Sequence, residues 1–313
     1  MDQAILKQNL QQLVGQDRAK LLLVNQSVAG GHPAYLLVGP PKIGKGFLAR
    51  LMAASWHEVE HSGAMPHPDT LVFDDILSKN LGENDENKWK KSTDEFIHFM
   101  NLSPVKSAFK MGILENIDRF SASALNALLK TIEEPPAHTI FILTAQEIGN
   151  VLPTIVSRVQ LIRLGYLSDQ EISQYLQQIK ADQIDEITVL ANGAIGIAKH
   201  LATDPEALQA ALKNVTALQD ILRKDIITLT KSAQIKDRDE SIALLQTWIN
   251  LVHRTMLNKL GQPVVSLIDA ATAGYSAEKL MELISQLREA LAGVADNANI
   301  RITLEAALLP TIS

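Results

Sequence analysis

Short apolar runs alternate with amphipathic stretches between residues 34 and 164, and this alternation limits the fold more than any other feature. The runs are four to six residues long without strict polar alternation, which is typical of strands buried on both faces of a sheet. Repetition of strand, helix and strand predicts an open parallel sheet with right-handed crossovers. The predicted strands are Ala34–Val38, Thr70–Phe73, Lys110–Leu114, Thr139–Leu143 and Val159–Leu164.

Amphipathic stretches between these runs predict the helices of the same region. Their bounds are Phe47–Trp56, Thr93–Met100 and Ser121–Ile132. Ser121 is a favourable N-cap, and two prolines at 135 and 136 end the third helix. The stretch Leu77–Lys91 is crowded with Asn, Asp, Glu and Lys, and we interpret it as a solvated loop.

The second half of the chain has a helical period almost throughout. We find no strand signal beyond residue 164. The change of pattern predicts an α/β domain over 1–164, a small helical domain over 165–204 and a C-terminal helical bundle over 205–313. The predicted helices are Asp169–Lys180, Ile184–Asn192, Ile197–Leu201, Pro205–Leu212, Val215–Ser232, Asp237–Leu260 and Ala277–Val294.

Composition narrows the class further. Aromatic residues make up 4% of the chain, so its cores depend on Leu, Ile, Val and Ala, which disfavours an all-β sandwich. The absence of Cys excludes a thiol nucleophile and a Cys-ligated metal. Apolar runs too short for a bilayer, and a start unlike a signal peptide, predict a soluble cytoplasmic protein. The formal net charge of -6 gives the chain no overall electrostatic reason to coat nucleic acid.

A sequence typical of a phosphate-binding loop follows the first predicted strand. It reads Gly39-Pro-Pro-Lys-Ile-Gly44-Lys45-Gly46 and leads directly into the next predicted helix. In this context, backbone N–H groups of the loop and the helix N-terminus hold phosphate oxygens, and the lysine adds a charge. The residue after the lysine is ordinarily Ser or Thr, whose hydroxyl ligates Mg²⁺, and here it is Gly46. The loop therefore predicts nucleotide-binding ancestry with the first metal contact missing.

The third predicted strand leads into Glu115 and Asn116. At these two positions nucleotide hydrolases carry one acidic residue that holds the metal and one that activates the attacking water. Glu115 occupies the metal-side position, but Asn116 is a neutral amide that cannot take a proton. Loss of both the hydroxyl and the base predicts that hydrolysis is absent or very slow. Two alternatives remain for the loop: a helix cap only, or weak binding of ATP or ADP. Neither alternative requires a cofactor.

Several segments of the chain resemble the clamp-loader subunits of the AAA+ class. The most specific is the run Ala-Leu-Leu-Lys-Thr-Ile-Glu-Glu-Pro-Pro, which ends at Pro136. The resemblance implies an α/β P-loop AAA+ domain with flanking helices, then a small helical lid domain and an all-α C-terminal collar domain. The similar segments are Asn116–Pro136, Thr139–Thr144 and Leu152–Arg158, with the shorter Val14–Gln16, His67–Asp69, Leu102–Val105 and Asn297–Arg301.

The resemblance also implies a function. The degenerate ATP site is similar to that of the delta-prime type, a stator that donates an arginine finger to the ATP site of the neighbouring motor subunit. The matching finger is Arg158, followed by Val159 where the family usually has Cys. Gly196 stands where related motor subunits carry a sensor arginine. The implied partners are the gamma/tau motor and delta subunits, the sliding clamp, and primed DNA through the assembled complex, with no membrane.

Three other hypotheses remain at this stage. The chain could be an active ATP-hydrolysing AAA+ protein that tolerates Gly46 and Asn116, either a motor subunit of a clamp loader or a related remodeller. Direct DNA binding through Arg119 and Lys130 has little support, because two glutamates adjoin the lysine helix and the net charge is negative. A metal held by His57 and His61 together with His67 or Asp69 is also disfavoured. We expect the histidines to be solvated and no metal to bind.

Overall fold

The computed structural model describes residues 2–28, 31–61, 67–73, 86–223 and 237–312. They fall into two compact units, Met1–Leu167 and Ser168–Ser313. The boundary between the units lies close to the predicted edge after residue 164. The predicted division into three domains, with a further edge after residue 204, stays a prediction.

The first unit contains a parallel sheet of five strands in the order β2-β3-β4-β1-β5. The predicted parallel sheet is therefore confirmed. Three strands are buried along their whole length, which is why they read as continuous apolar runs in the sequence. The strands are β1 (Ala34–Val38), β2 (Thr70–Phe73), β3 (Lys110–Leu114), β4 (Thr139–Ala145) and β5 (Gln160–Arg163).

The order of the strands brings the predicted loop and the predicted acidic position to one edge of the sheet. Strand β4 lies between β1 and β3, and the register pairs Val38 with Ala145 and Leu114 with Leu143. The chain leaves β1 at Gly39 and leaves β3 at Glu115. Because the strands are parallel, both residues emerge at the carboxyl edge, where open α/β sheets bind their ligands.

Six α-helices accompany the sheet within the described part of this unit, and three of them were not predicted. Helix α1 buries Leu6 and Leu10, and the Asn9 amide donates to Ser55 Oγ and to the carbonyl of Val59, at 3.0 Å each. The helices are α1 (Gln3–Gln11), α2 (Asp17–Val28), α3 (Lys45–Trp56), α4 (Glu86–Asn101), α5 (Ala122–Glu133) and α6 (Pro153–Val156).

The interpretation of residues 77–91 as a loop is wrong for its last part. Helix α4 begins at Glu86, so residues 86–91 are helical. Glu and Lys are good helix formers, and a polar composition therefore does not prevent a helix from extending ahead of the amphipathic pattern that buries Phe96 and Met100. The remainder of the predicted loop lies outside the described residues.

The second unit is helical over its described residues, as predicted. The predicted break between Leu212 and Val215 is wrong, because one helix runs from Pro205 to Leu222 and neither Gly nor Pro lies between the two segments. The predicted helical residues 224–232 lie outside the described residues. The final helix was not predicted. The helices are α7 (Asp169–Gln178), α8 (Ile184–Ala191), α9 (Ile195–Thr203), α10 (Pro205–Leu222), α11 (Arg238–Lys259), α12 (Ala277–Ala295) and α13 (Ile300–Ile312).

Side-chain caps and a large apolar core explain the helices of the second unit. Ser168 and Glu171 form a complete capping box at α7, and Asp204, Asp237 and Ser276 cap α10, α11 and α12. The core is built on the fully buried Trp248 together with aliphatic side chains of α10 to α13. Assignment of these helices to a lid and a collar stays a prediction. None of the helices in the described ranges is long and apolar enough to cross a membrane.

Candidate functional site

The phosphate loop lies where the sequence predicts it, between β1 and α3. Gly39 passes so close to the neighbouring chain that a Cβ there would lie 2.2 Å from the carbonyl oxygen of Leu164. Gly44 is the N-cap of α3 and has a φ of 100°, a left-handed conformation that favours glycine. Lys45 is the first residue of the helix. Gly39 and Gly44 are thus explained by backbone geometry alone.

The Lys45 side chain is buried and points back over the loop. Its Nζ donates to the carbonyl oxygens of Gly39 at 2.6 Å and Pro40 at 2.8 Å. Burial lowers the pKa of Lys45, while the nearby Asp118 acts in the opposite direction. The ammonium therefore satisfies the carbonyls of its own loop. A phosphate would have to draw it away from both.

The metal-side position is occupied by an ion pair. Glu115 accepts a hydrogen bond from the Arg50 guanidinium, with 2.5 Å between Oε1 and Nη1. The same Nη1 donates to the carbonyl oxygen of Gly46 at 2.9 Å. A Cβ at position 46 would lie 2.8 Å from the Glu115 carboxylate and 3.0 Å from Arg50 Nη1. The predicted site residues Gly46 and Glu115 are therefore adjacent, and the space between them is filled by Arg50.

Sequence reasoning did not include Arg50 in the site. A signal for it exists, because Arg50 follows Gly46 by four positions on one helix, and residues at this spacing lie on the same face. Its partner Glu115 comes from a distant strand, 65 positions along the chain. Only the fold brings the two side chains together.

At the predicted base position, the contact that the structure shows is made by the backbone. Asn116 has a left-handed φ of 55°, and its N–H donates to Thr144 Oγ1 at 2.9 Å. The residue thus joins the end of β3 to β4. Two residues later, Asp118 Oδ2 accepts from the N–H of Gln146 at 2.9 Å. An amide at position 116 offers no proton acceptor comparable to a carboxylate.

Arg158 lies after the short helix α6 and is exposed. Its Nε lies 3.3 Å from Glu133 Oε1, and its Nη1 donates to the carbonyl oxygen of Thr154 at 2.9 Å. The side chains of Arg158 and Glu133 are 42% and 36% exposed, so water screens this pair. The last predicted residue, Gly196, belongs to the second unit, in the first turn of α9.

The expectation that all three histidines are solvated is wrong for His57. Its ring is buried and stacked on His67, with 3.8 Å between centroids. Its nitrogens contact Ser107 Oγ and Thr70 Oγ1, both at 2.7 Å. Helix α3 ends at Trp56, so the helical spacing of histidines that suggested a metal does not form. Among the residues that the structure describes, no group of three or more His, Asp or Glu could hold a metal ion.

This buried ring predicts a dependence of stability on pH. Burial and then His67 lower the pKa of His57 from 6.5 to about 4, against the opposing effect of Asp69. Since the unfolded chain takes up the proton first as the pH falls, the stabilisation is complete above pH 6.5 and is lost between 6.5 and about 4. We expect the free energy of unfolding to fall by roughly 2–3 kcal/mol over this window in denaturant titrations.

Two variants separate this effect from general acid sensitivity. His57→Gln removes the titrating ring and should flatten the decline between the two pH values. His98→Gln changes an exposed histidine on α4 and should leave the decline unchanged. Equal pH profiles for the wild type and His57→Gln would contradict the assignment.

Comparisons with known proteins find relatives among the subunits of DNA polymerase III. A family model described as DNA polymerase III, delta subunit, matches residues 15–168. The DNA polymerase III subunit gamma of Buchnera aphidicola (subsp. Acyrthosiphon pisum) is 29% identical over 256 residues, which cover 76% of this chain and 71% of that protein. The subunit tau of Salmonella typhimurium is 26% identical over 304 residues, which cover 90% of this chain and 43% of that protein.

A solved structure is also similar. The DNA polymerase III gamma subunit-related protein of Thermotoga maritima has a TM-score of 0.49 and 18% identity, covering 93% of this chain and 98% of that one. The match to the family model includes the phosphate loop, Glu115 and Arg158. Over most of its length, the chain is therefore similar to the clamp-loader subunits of DNA polymerase III.

Proposed function

We propose that this chain is a non-hydrolysing, delta-prime-like stator of the clamp loader, which helps to load the sliding clamp onto primed DNA during replication. One observation carries the proposal. Glu115, at the metal-side position, is committed to Arg50, and Gly46 beside it has no hydroxyl. In a hydrolysing loop, a hydroxyl and a carboxylate at these two positions would ligate Mg²⁺. Here the hydroxyl is missing and the carboxylate is occupied by Arg50.

The base position supports the same conclusion independently. A hydrolase must activate or orient the attacking water, and a carboxylate commonly does so. Asn116 supplies only an amide, and its backbone is fixed by Thr144. Restoring the metal alone would therefore not restore hydrolysis.

The useful chemistry of the chain is proposed to lie at Arg158, which would enter the ATP site of a neighbouring motor subunit. An arginine in trans stabilises the charge that develops on the transferred phosphoryl group. Its exposure and its weak pairing with Glu133 suit a residue that must leave its own chain for a partner.

The proposed partners follow from this role. They are the gamma/tau motor subunits, the delta subunit, the sliding clamp and, through the assembled complex, primed DNA. We place the chain in the cytoplasm, in the replisome at the nucleoid. No cofactor is required, and any binding of ATP or ADP by the loop at Gly39–Gly46 would be weak.

A second candidate is an ATP-hydrolysing motor of the same complex. It is favoured by the relatives named gamma and tau, whose sequences match most of this chain. The two candidates differ in what the chain does alone with Mg-ATP.

We expect the purified chain to show no ATP turnover above that of its own Lys45→Ala variant. The missing hydroxyl, the occupied carboxylate and the neutral base each remove a required group. Phosphate release measured with a coupled assay tests this. Turnover in the wild type that Lys45→Ala abolishes would make the chain a motor and overturn the stator.

A further inference from the structure

The Mg²⁺ that accompanies nucleotides in phosphate loops does not fit this one. Such an ion is held by the loop hydroxyl and the acid that follows a neighbouring strand. Here Gly46 carries no hydroxyl, and Glu115 is paired with Arg50. The Glu115 side chain is only 18% exposed, so it has little freedom to turn toward another cation.

The Arg50 guanidinium lies where the ion would be expected. A ligating oxygen lies about 2.1 Å from Mg²⁺, so the ion would lie roughly 3 Å from the Cβ that carries the oxygen. Arg50 Nη1 is 3.0 Å from a Cβ built at position 46. The same nitrogen contacts the Glu115 carboxylate, the second group that would face the ion. A positive charge thus occupies the place between the two positions.

We propose that the Arg50 guanidinium replaces Mg²⁺ in this phosphate loop, so that the loop binds a nucleoside di- or triphosphate in its metal-free form. Of the two alternatives for the loop, the inference takes weak binding of ATP or ADP rather than a helix cap only, and it is independent of any role of Arg158. It adds Arg50 to the site as the group that supplies the cation.

The charges around the loop agree with this exchange. The guanidinium carries a positive charge and offers five N–H donors, and its Nη1 already contacts Gly46 and Glu115. Its side chain is 40% exposed, so donors remain accessible to an incoming anion. Adding Mg²⁺ beside the guanidinium would place two cations around one carboxylate. A free polyphosphate is therefore the better ligand than its Mg²⁺ complex.

The absence of a side chain at Gly46 is part of the same arrangement. A side chain there would meet the Glu115 carboxylate at 2.8 Å, and Arg50 at 3.0 Å. Glycine at 46 and arginine at 50 thus depend on each other. Restoring the hydroxyl requires removal of the guanidinium.

Calorimetric titration of the full chain with ADP tests the proposal, once in EDTA and once in excess Mg²⁺. We expect binding in EDTA, with no more than about twofold tightening by Mg²⁺. Arg50→Gln should weaken ADP binding in EDTA roughly tenfold or more, the typical effect of losing a charged hydrogen bond. Lys7→Gln removes an exposed positive charge on α1 and should leave the affinity unchanged.

A double variant tests whether ADP binding depends on Mg²⁺ once the guanidinium is removed and the hydroxyl is restored. Gly46→Thr together with Arg50→Ala restores the hydroxyl, removes the conflict with Arg50 and frees the Glu115 carboxylate to move away from the new side chain, so Mg²⁺ should now tighten ADP binding by about fivefold or more. Arg50→Ala alone keeps the native loop and is used if the double variant does not fold. In that variant ADP binding in EDTA should be lost, and Mg²⁺ should restore part of it through the released Glu115.

Two results would overturn the proposal. One is a wild-type affinity that Mg²⁺ increases fivefold or more. The other is the absence of ADP binding in EDTA at millimolar concentrations. Neither result touches the stator role, which depends on turnover at another subunit and on Arg158.

Discussion

ATP turnover by the assembled clamp loader is expected to fall roughly tenfold or more when Arg158 is replaced by alanine. The complex is prepared from this chain with the motor and delta subunits of its host, and turnover is measured with clamp, primed DNA and Mg-ATP. Fingers supplied in trans contribute about 10³ to 10⁵ in turnover in other nucleotide hydrolases, so a tenfold loss is a cautious lower bound. The loss should appear in the catalytic rate rather than in assembly.

The structure indicates that Arg158→Ala leaves the fold intact. The side chain contacts Glu133 and the carbonyl of Thr154 from an exposed position, and such a pair contributes at most about 1 kcal/mol. Stability of the isolated chain should therefore change little. Gel filtration of the assembled complex then separates a failure of chemistry from a failure of assembly.

Two variants serve as matched controls. Arg163→Ala removes an exposed arginine at the end of β5 and should not alter turnover. Glu133→Gln removes the partner of Arg158 but retains the finger, and it should keep at least half of the activity. Unchanged turnover in Arg158→Ala, with normal assembly, would show that Arg158 is not a finger.

The sheet could be predicted from the sequence because burial on both faces leaves a pattern that polar residues do not interrupt. Strands β1, β2 and β3 begin and end as predicted. Helices α1 and α2 were missed because their stabilisation comes from tertiary contacts rather than from a clear pattern. Asn9, for example, is a buried amide whose partners lie in and beyond α3. A buried amide of this kind interrupts the apolar pattern by which a buried helix face is recognised in the sequence.

Part of the candidate site could likewise be predicted from the sequence, and part of it could not. The loop and Glu115 follow from local sequence, since strand, glycines and lysine are contiguous. The Arg50–Glu115 pair depends on the order of the strands, which the periodicity of single segments does not contain. His57 was misjudged for a related reason: its partners Ser107 and Thr70 come from two distant segments that only the fold brings to it.

A second large effect, on the free energy of unfolding, is expected when Asp69 is replaced. Asp69 is a fully buried carboxylate beside the sheet. Its oxygens accept from the N–H groups of Val105 at 2.7 Å, Lys106 at 2.7 Å and Ser107 at 2.9 Å. The Lys110 ammonium, also buried, lies 3.8 Å away. Burial alone would raise the pKa of Asp69, but the three N–H groups and Lys110 together hold it below its ordinary value.

Asp69→Ala is expected to lower the free energy of unfolding by about 3–5 kcal/mol in urea titrations. The variant leaves the charge of Lys110 buried without its carboxylate and three backbone donors without an acceptor. Because the pKa of Asp69 is lowered on folding, the stabilisation is present above pH 3.8 and is lost as the pH falls below it. The effect should therefore be largest near neutral pH.

Lys110→Met separates the hydrogen bonds of Asp69 from its ion pair. This variant removes the cation but keeps all three N–H donors on the carboxylate, so it should cost less than Asp69→Ala by about 1–3 kcal/mol. Asp69→Asn keeps one acceptor oxygen and should fall between the two. If Asp69→Ala instead cost less than about 1 kcal/mol, the segment 105–107 would have to be anchored by groups other than this carboxylate. Equal losses in Asp69→Ala and Lys110→Met would assign the stabilisation to the ion pair alone.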